Sequence, residues 1–164
     1  MAKQNFNLQD YETVDQRIQR FYRDNPQGRI TSDLVRLDGD VNATRWVVRG
    51  AVYRDSENEL PAGVGYASEV DGGPGANKFA ALENCETSAI GRALANAGYS
   101  GNKRTTREEM LKVVVPDLLA RVKKATSKDE TRELWNEANR QGVLDRLEKA
   151  ILDRNEVLAR DTTA

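Results

Sequence analysis

The residues able to do chemistry in this chain are few, and the shortage starts with histidine. None of the 164 residues is one. Ser-His and Cys-His nucleophile schemes and His-ligated metal sites are thereby excluded, because each uses an imidazole as base or ligand. The single cysteine, Cys85, permits neither an internal disulfide nor a cysteine zinc cluster. It falls inside a helical stretch and reads as a small buried thiol. Gly72-Gly73-Pro74-Gly75-Ala76-Asn77-Lys78 is rich in glycine and ends on a lysine before a helix. It lacks the Gly-Lys-Ser/Thr ending and the spacing of a phosphate-cradling P-loop. Glu86 falls within an apolar helical stripe, where an unpaired carboxylate is costly. No second carboxylate or ligand cluster accompanies it. The expectation is a structural ion pair with a core-facing arginine, in a protein that is not an enzyme and needs no cofactor or metal.

What remains is non-covalent chemistry by arginine, lysine and tyrosine. Over residues 45–53, Trp46, Val48 and Val52 alternate with Arg45, Val47, Arg49, Ala51 and Tyr53. The first set suits a core face. The second sets two arginines and a tyrosine in a row, on a face that advances about 7 Å with every second residue. Arginines neutralise phosphates, and a tyrosine stacks on any base without choosing among them. The competing reading is an ordinary solvated sheet face. Residues 78–97 repeat at helical spacing, with Phe79, Leu82, Ile90, Ala93 and Ala97 expected on the apolar side. Lys78, Ser88, Arg92 and Asn96 fall opposite, with Cys85. The basic loop that follows contributes Lys103 and Arg104.

The elements that would position these groups follow from periodicity and breakers. Tyr11, Val14, Ile18 and Phe21 mark a helix over about 8–22, stopped by Asn25-Pro26-Gln27-Gly28. Three strands are expected at 29–37, 42–54 and 60–70, with a turn at Asp38-Gly39-Asp40. Short links favour an antiparallel meander. The long helix 78–97 comes next, with Gly98 as its left-handed stop. Beyond residue 110 glycine nearly vanishes. Pro116 is a candidate first helical residue, Ser127-Lys128-Asp129-Glu130 has the capping-box pattern, and Gly142 separates a last helix over 143–160. The fold class is α+β: an N-terminal helix, a three-stranded antiparallel sheet packed on a long helix, then a C-terminal helical region. The domains are residues 1–110 (α-β-β-β-α) and residues 111–164, the latter expected to serve assembly or partners.

Net charge is −1, so any attraction to nucleic acid must come from a local patch. No apolar run approaches a membrane span, and MAKQNFNLQD is not a signal peptide. A cytoplasmic protein without membrane partners is expected.

The stretch from Ala81 to Tyr99, and within it Ser-Ala-Ile-Gly-Arg-Ala-Leu over residues 88–94, resembles the helix that follows the sheet in phage single-strand annealing proteins. These are the essential-recombination-function proteins and their Rad fifty-two superfamily relatives. Arg-Trp-Val-Val-Arg-Gly-Ala-Val-Tyr over residues 45–53 and the glycine loop support the resemblance, which covers about residues 10–105. It implies a groove for single-stranded DNA between sheet and helix, and side-by-side assembly of subunits into a ring or filament. It also implies a phage exonuclease or a host single-strand-binding protein as partner. The family's basic helix position matches Arg92, while a second basic position is Gly91 here. That departure shifts the burden to Arg45, Arg49, Lys103 and Arg104.

The expected function is therefore ATP-independent annealing of complementary single strands in phage recombination. The DNA-binding residues would be Arg45, Arg49, Tyr53, Lys78, Arg92, Lys103 and Arg104, with Arg45, Arg49 and Arg92 lining one groove. A single-stranded DNA-binding or replication accessory protein that does not anneal stays open as an alternative. So do a structural or regulatory protein that has lost DNA binding, and a carboxylate-and-metal nuclease.

Overall fold

The computed structural model describes residues 7–40, 43–72, 80–101 and 103–161. The chain divides into two compact units. One comprises Tyr11–Glu109. The other runs from Met110 and takes in the N-terminal segment through Asp10.

The first unit opens with helix α1 (Val14–Asp24). Thr13 and Gln16 close a reciprocal capping box: the Thr13 hydroxyl accepts from the Gln16 N–H at 3.2 Å, and the Gln16 side chain accepts from the Thr13 N–H at 2.9 Å. This fixes the start later than the apolar spacing suggests. Leu8, expected in the same helix, instead lies in a short 3-10 turn, Leu8–Asp10. Strands β1 (Arg29–Asp38), β2 (Arg45–Tyr53) and β3 (Gly63–Val70) form one antiparallel sheet in the order β1-β2-β3. β3 starts after Pro61, whose missing N–H suits a strand entry rather than its interior. The register shifts between Leu34 and Arg36, a bulge at Val35.

Helix α2 (Ala81–Asn96) lies on one face of the sheet, and Gly98 beyond it adopts φ +99°. Its contact side matches the expected one at Ile90, Ala93 and Ala97 and differs at Leu82, Cys85 and Ser88. Ala81, Cys85, Ser88, Ala89, Gly91, Ala93, Leu94 and Ala95 are buried, whereas Leu82 is exposed. Phe79 lies outside the described residues. The correction has a steric cause. A Cβ on Gly50 would sit 2.8 Å from the backbone of Ala89, and one on Gly65 would strike Ala89 and Ala93. Helix and sheet approach backbone to backbone, so the contact stripe is made of the smallest side chains rather than the largest. Val48, Ala67, Cys85 and Ala89 form the core at one end. Phe21, Val52, Ala93, Leu94, Ala97 and Tyr99 form it at the other.

Glu86 is corrected with the same face. Rotated away from the contact stripe it is exposed, and it accepts a 2.5 Å hydrogen bond from the Ser32 hydroxyl on β1. No arginine is involved in that bond, and no core burial.

The second unit contains α3 (Arg107–Lys124), whose first turn belongs to the sheet unit, α4 (Lys128–Gln141) and α5 (Leu144–Asp161). Pro116 lies inside α3, not at a helix start. The start is set by Thr106: its hydroxyl accepts from the Glu109 N–H, and Glu109 accepts from the Thr106 N–H at 3.0 Å. Ser127 caps α4, and Gly142 at φ +67° ends it, as the sequence predicts. Leu8, Leu118, Val122, Leu134, Ala138, Leu147 and Ile151 share one core. Among the described residues no helix is long and apolar enough to cross a membrane.

Candidate functional site

Because α2 covers one face of the sheet, alternation leaves the other face open within this unit, among the described residues. Registers place Arg29, Asp33 and Arg36 of β1, Arg45, Arg49 and Tyr53 of β2, and Tyr66 of β3 on that open face. Asp33 stands opposite Arg49, and Arg49 opposite Tyr66, giving one row across all three strands. The Arg49 guanidinium donates to Asp33 Oδ2 at 3.1 Å. Burial is the largest single influence on its pKa and pulls downward. Hydrogen bonding to Tyr53, Asp33 and Tyr66 outweighs it and holds the pKa above the ordinary arginine value. Arg29 stacks over the Tyr53 ring with 4.2 Å from guanidinium carbon to centroid. Tyr66 remains 53% exposed. Arg45 extends the cationic row toward the far end of β2 and is exposed.

Three of the seven residues picked from the sequence, Arg45, Arg49 and Tyr53, therefore share a surface. Arg29 and Tyr66 join them and were missed. A signal for Tyr66 was present: Gly63, Gly65 and Ala67 alternate with Val64, Tyr66 and Ser68, marking the small residues as the helix-facing set.

Of the remaining picks, the described ones lie elsewhere. Lys78 is outside the described residues. Arg92 reaches the outer edge of β3 from the helix side, donating to the Tyr66 carbonyl and to Glu109 Oε1 at 2.9 and 2.8 Å. Asn96 donates to the Val64 carbonyl on the same edge, and Arg104 hydrogen-bonds to Asn96. These side chains cap an edge strand. Arg92 does not line one groove with Arg45 and Arg49, which project from the opposite face. Lys103 sits over the Tyr11 ring with Nζ 4.6 Å from the centroid.

The loop that carries Lys103 and Arg104 is organised by a residue of α1. Arg17 is fully buried. Its guanidinium donates to the carbonyls of Gly91, Ser100, Lys103, Arg104 and Thr105. Burial pulls its pKa down and Glu12, 3.7 Å away, acts in the other direction. A charged arginine among five carbonyls and a carboxylate is a structural cation. It ties the loop between α2 and α3 to α1 through the carbonyls of Ser100, Lys103, Arg104 and Thr105.

Residues 18–97 match the model of a family described as Slr1353 N-terminal dsRNA-binding domain-like. The match contradicts the resemblance to phage annealing proteins. Most of the stretch on which that resemblance rests lies within the matched residues. Its small-residue pattern has a packing origin: Ser88, Ala89, Gly91 and Ala93 are buried, and Ala89 and Ala93 lie directly against the glycine-bearing strands. No curated protein and no solved structure matches the chain.

Proposed function

We propose that this protein binds nucleic acid, and that the open face of its sheet takes a single-stranded segment. The observation carrying the reading is the row of Arg29, Arg49, Tyr53 and Tyr66 on one uncovered surface. Phosphates would pair with the guanidinium groups, and bases would stack on the exposed tyrosine ring without sequence preference. The match to a double-stranded-RNA-binding-like family supports nucleic acid as the ligand class and favours one specific second reading, an RNA duplex. A duplex keeps its bases stacked internally and is held through backbone and 2′-hydroxyl contacts, so an exposed tyrosine gives it little. Annealing of complementary strands is a further step of the proposal, and requires that a held strand can still pair.

Fluorescence anisotropy with four labelled probes of equal length, single- and double-stranded RNA and DNA, tests this across a salt series. Tightest binding to a single-stranded probe, with affinity falling as salt rises, is the expected result. Preference for duplex RNA would favour the second reading. No binding to any probe at low salt would overturn both.

A further inference from the structure

The two edges of the sheet are treated differently. Alternation along the β2–β3 ladder turns the Val64 and Tyr66 carbonyls outward, and Asn96 and Arg92 occupy them. The same alternation across β2 turns the backbone groups of Ile30, Ser32, Leu34 and Leu37 outward on β1. Among the described residues nothing hydrogen-bonds to them. Beside these open groups Leu34, Val35 and Leu37 are 55%, 53% and 54% exposed. A ten-residue edge strand with three exposed aliphatic side chains is a template for another strand.

We propose that a second copy of this chain occupies the edge, pairing β1 with β1 in antiparallel register about a two-fold axis. The sequence of β1 is complementary to itself in that arrangement. Centring the axis between Leu34 and Val35 sets Asp33 opposite the second copy's Arg36, and Ser32 opposite its Leu37. The Val35 bulge makes this register consistent with the faces. It shifts the alternation so that Asp33 and Arg36 both lie on the open face, while Ser32 and Leu37 both lie on the helix side. Opposite charges meet twice, no like charges meet, and the aliphatic side chains of the two copies cover one another. Two open faces then become one six-stranded face, and the Arg49–Asp33 pair continues into Arg36 of the second copy.

Sedimentation equilibrium on the full chain tests the pairing, using wild type, a Leu34→Lys/Leu37→Lys variant, and a Ser32→Cys/Leu37→Cys variant. Both leucines are already half solvated, so the lysines leave the single-copy fold intact, which circular dichroism verifies. The expected wild-type mass is twice 18.3 kDa, with at least tenfold weaker association in the lysine variant. Mild oxidation should link the cysteine variant into a covalent dimer, while native Cys85 stays buried. A wild-type monomer at about 100 μM would leave the edge to a different protein's strand and overturn the proposal. So would a dimer that survives both lysines, or one in which the cysteine pair does not cross-link. Nucleic-acid binding by the open face is measured separately and does not depend on the outcome.

Discussion

Arg17 is the residue whose removal should cost most per atom. It is a buried cation held by the α2 carbonyl of Gly91, four loop carbonyls and a carboxylate 3.7 Å away. Arg17→Met would leave those carbonyls without their donor. Breaking a buried charge network costs roughly 3–5 kcal/mol, so urea unfolding of the variant should show a loss of about 3 kcal/mol. A loss below about 1 kcal/mol would mean that water replaces the guanidinium freely. Glu86 gives the opposite expectation. Its bond from Ser32 is at the surface, and such a bond contributes roughly 0.5–1.5 kcal/mol. Glu86→Ala should therefore cost no more than about 1.5 kcal/mol in the same assay. A cost near 3 kcal/mol would restore the buried ion pair that the apolar stripe suggests. The apolar stripe predicts a core position for Glu86, and the structure buries Arg17 of α1 instead. Helical spacing identifies a face but does not say whether a long polar side chain on it turns inward.

At the scale of elements, the order of helices and strands through α2 follows from periodicity, glycine and proline alone. So do the Ser127 cap and the Gly142 stop. Two helices start elsewhere than apolar spacing and Pro116 predict, because capping boxes at Thr13 and Thr106, a Thr-x-x-Gln and a Thr-x-x-Glu, set those starts. Apolar spacing predicts the α2 contact side at Ala93 and Ala97 but not at Leu82, Cys85 and Ser88, for a different reason. Hydrophobicity ranks leucine over alanine, whereas backbone-to-backbone packing selects the smaller residue. Gly50 and Gly65 are the strand-side counterparts of that packing. Gly65→Ala should force α2 off β3 and destabilise the sheet unit by about 1–3 kcal/mol, the usual cost of overpacking. Thermal unfolding monitored at Trp46 reads it. A variant as stable as wild type would mean that helix and strand are not in close contact there.

For the whole molecule, a near-neutral chain binds a polyanion only where its cations gather, and the open sheet face gathers them beside tyrosine. Part of that face was visible in the alternation of β2. Arg29 and Tyr66 required the registers with β1 and β3, which no single strand contains. Helical spacing and the family pattern both point to Arg92, but it is bonded to the Tyr66 carbonyl and to Glu109 on the helix side of the sheet. The most direct test of the interface is titration of a labelled single-stranded oligonucleotide with wild type, Arg49→Ala and Tyr66→Ala at several salt concentrations. Loss of one phosphate contact should reduce the magnitude of the salt slope for Arg49→Ala by about 0.7. Loss of one stacking platform should weaken Tyr66→Ala by about 1–3 kcal/mol with the slope unchanged. Wild-type affinity and slope in both variants would contradict binding through this face.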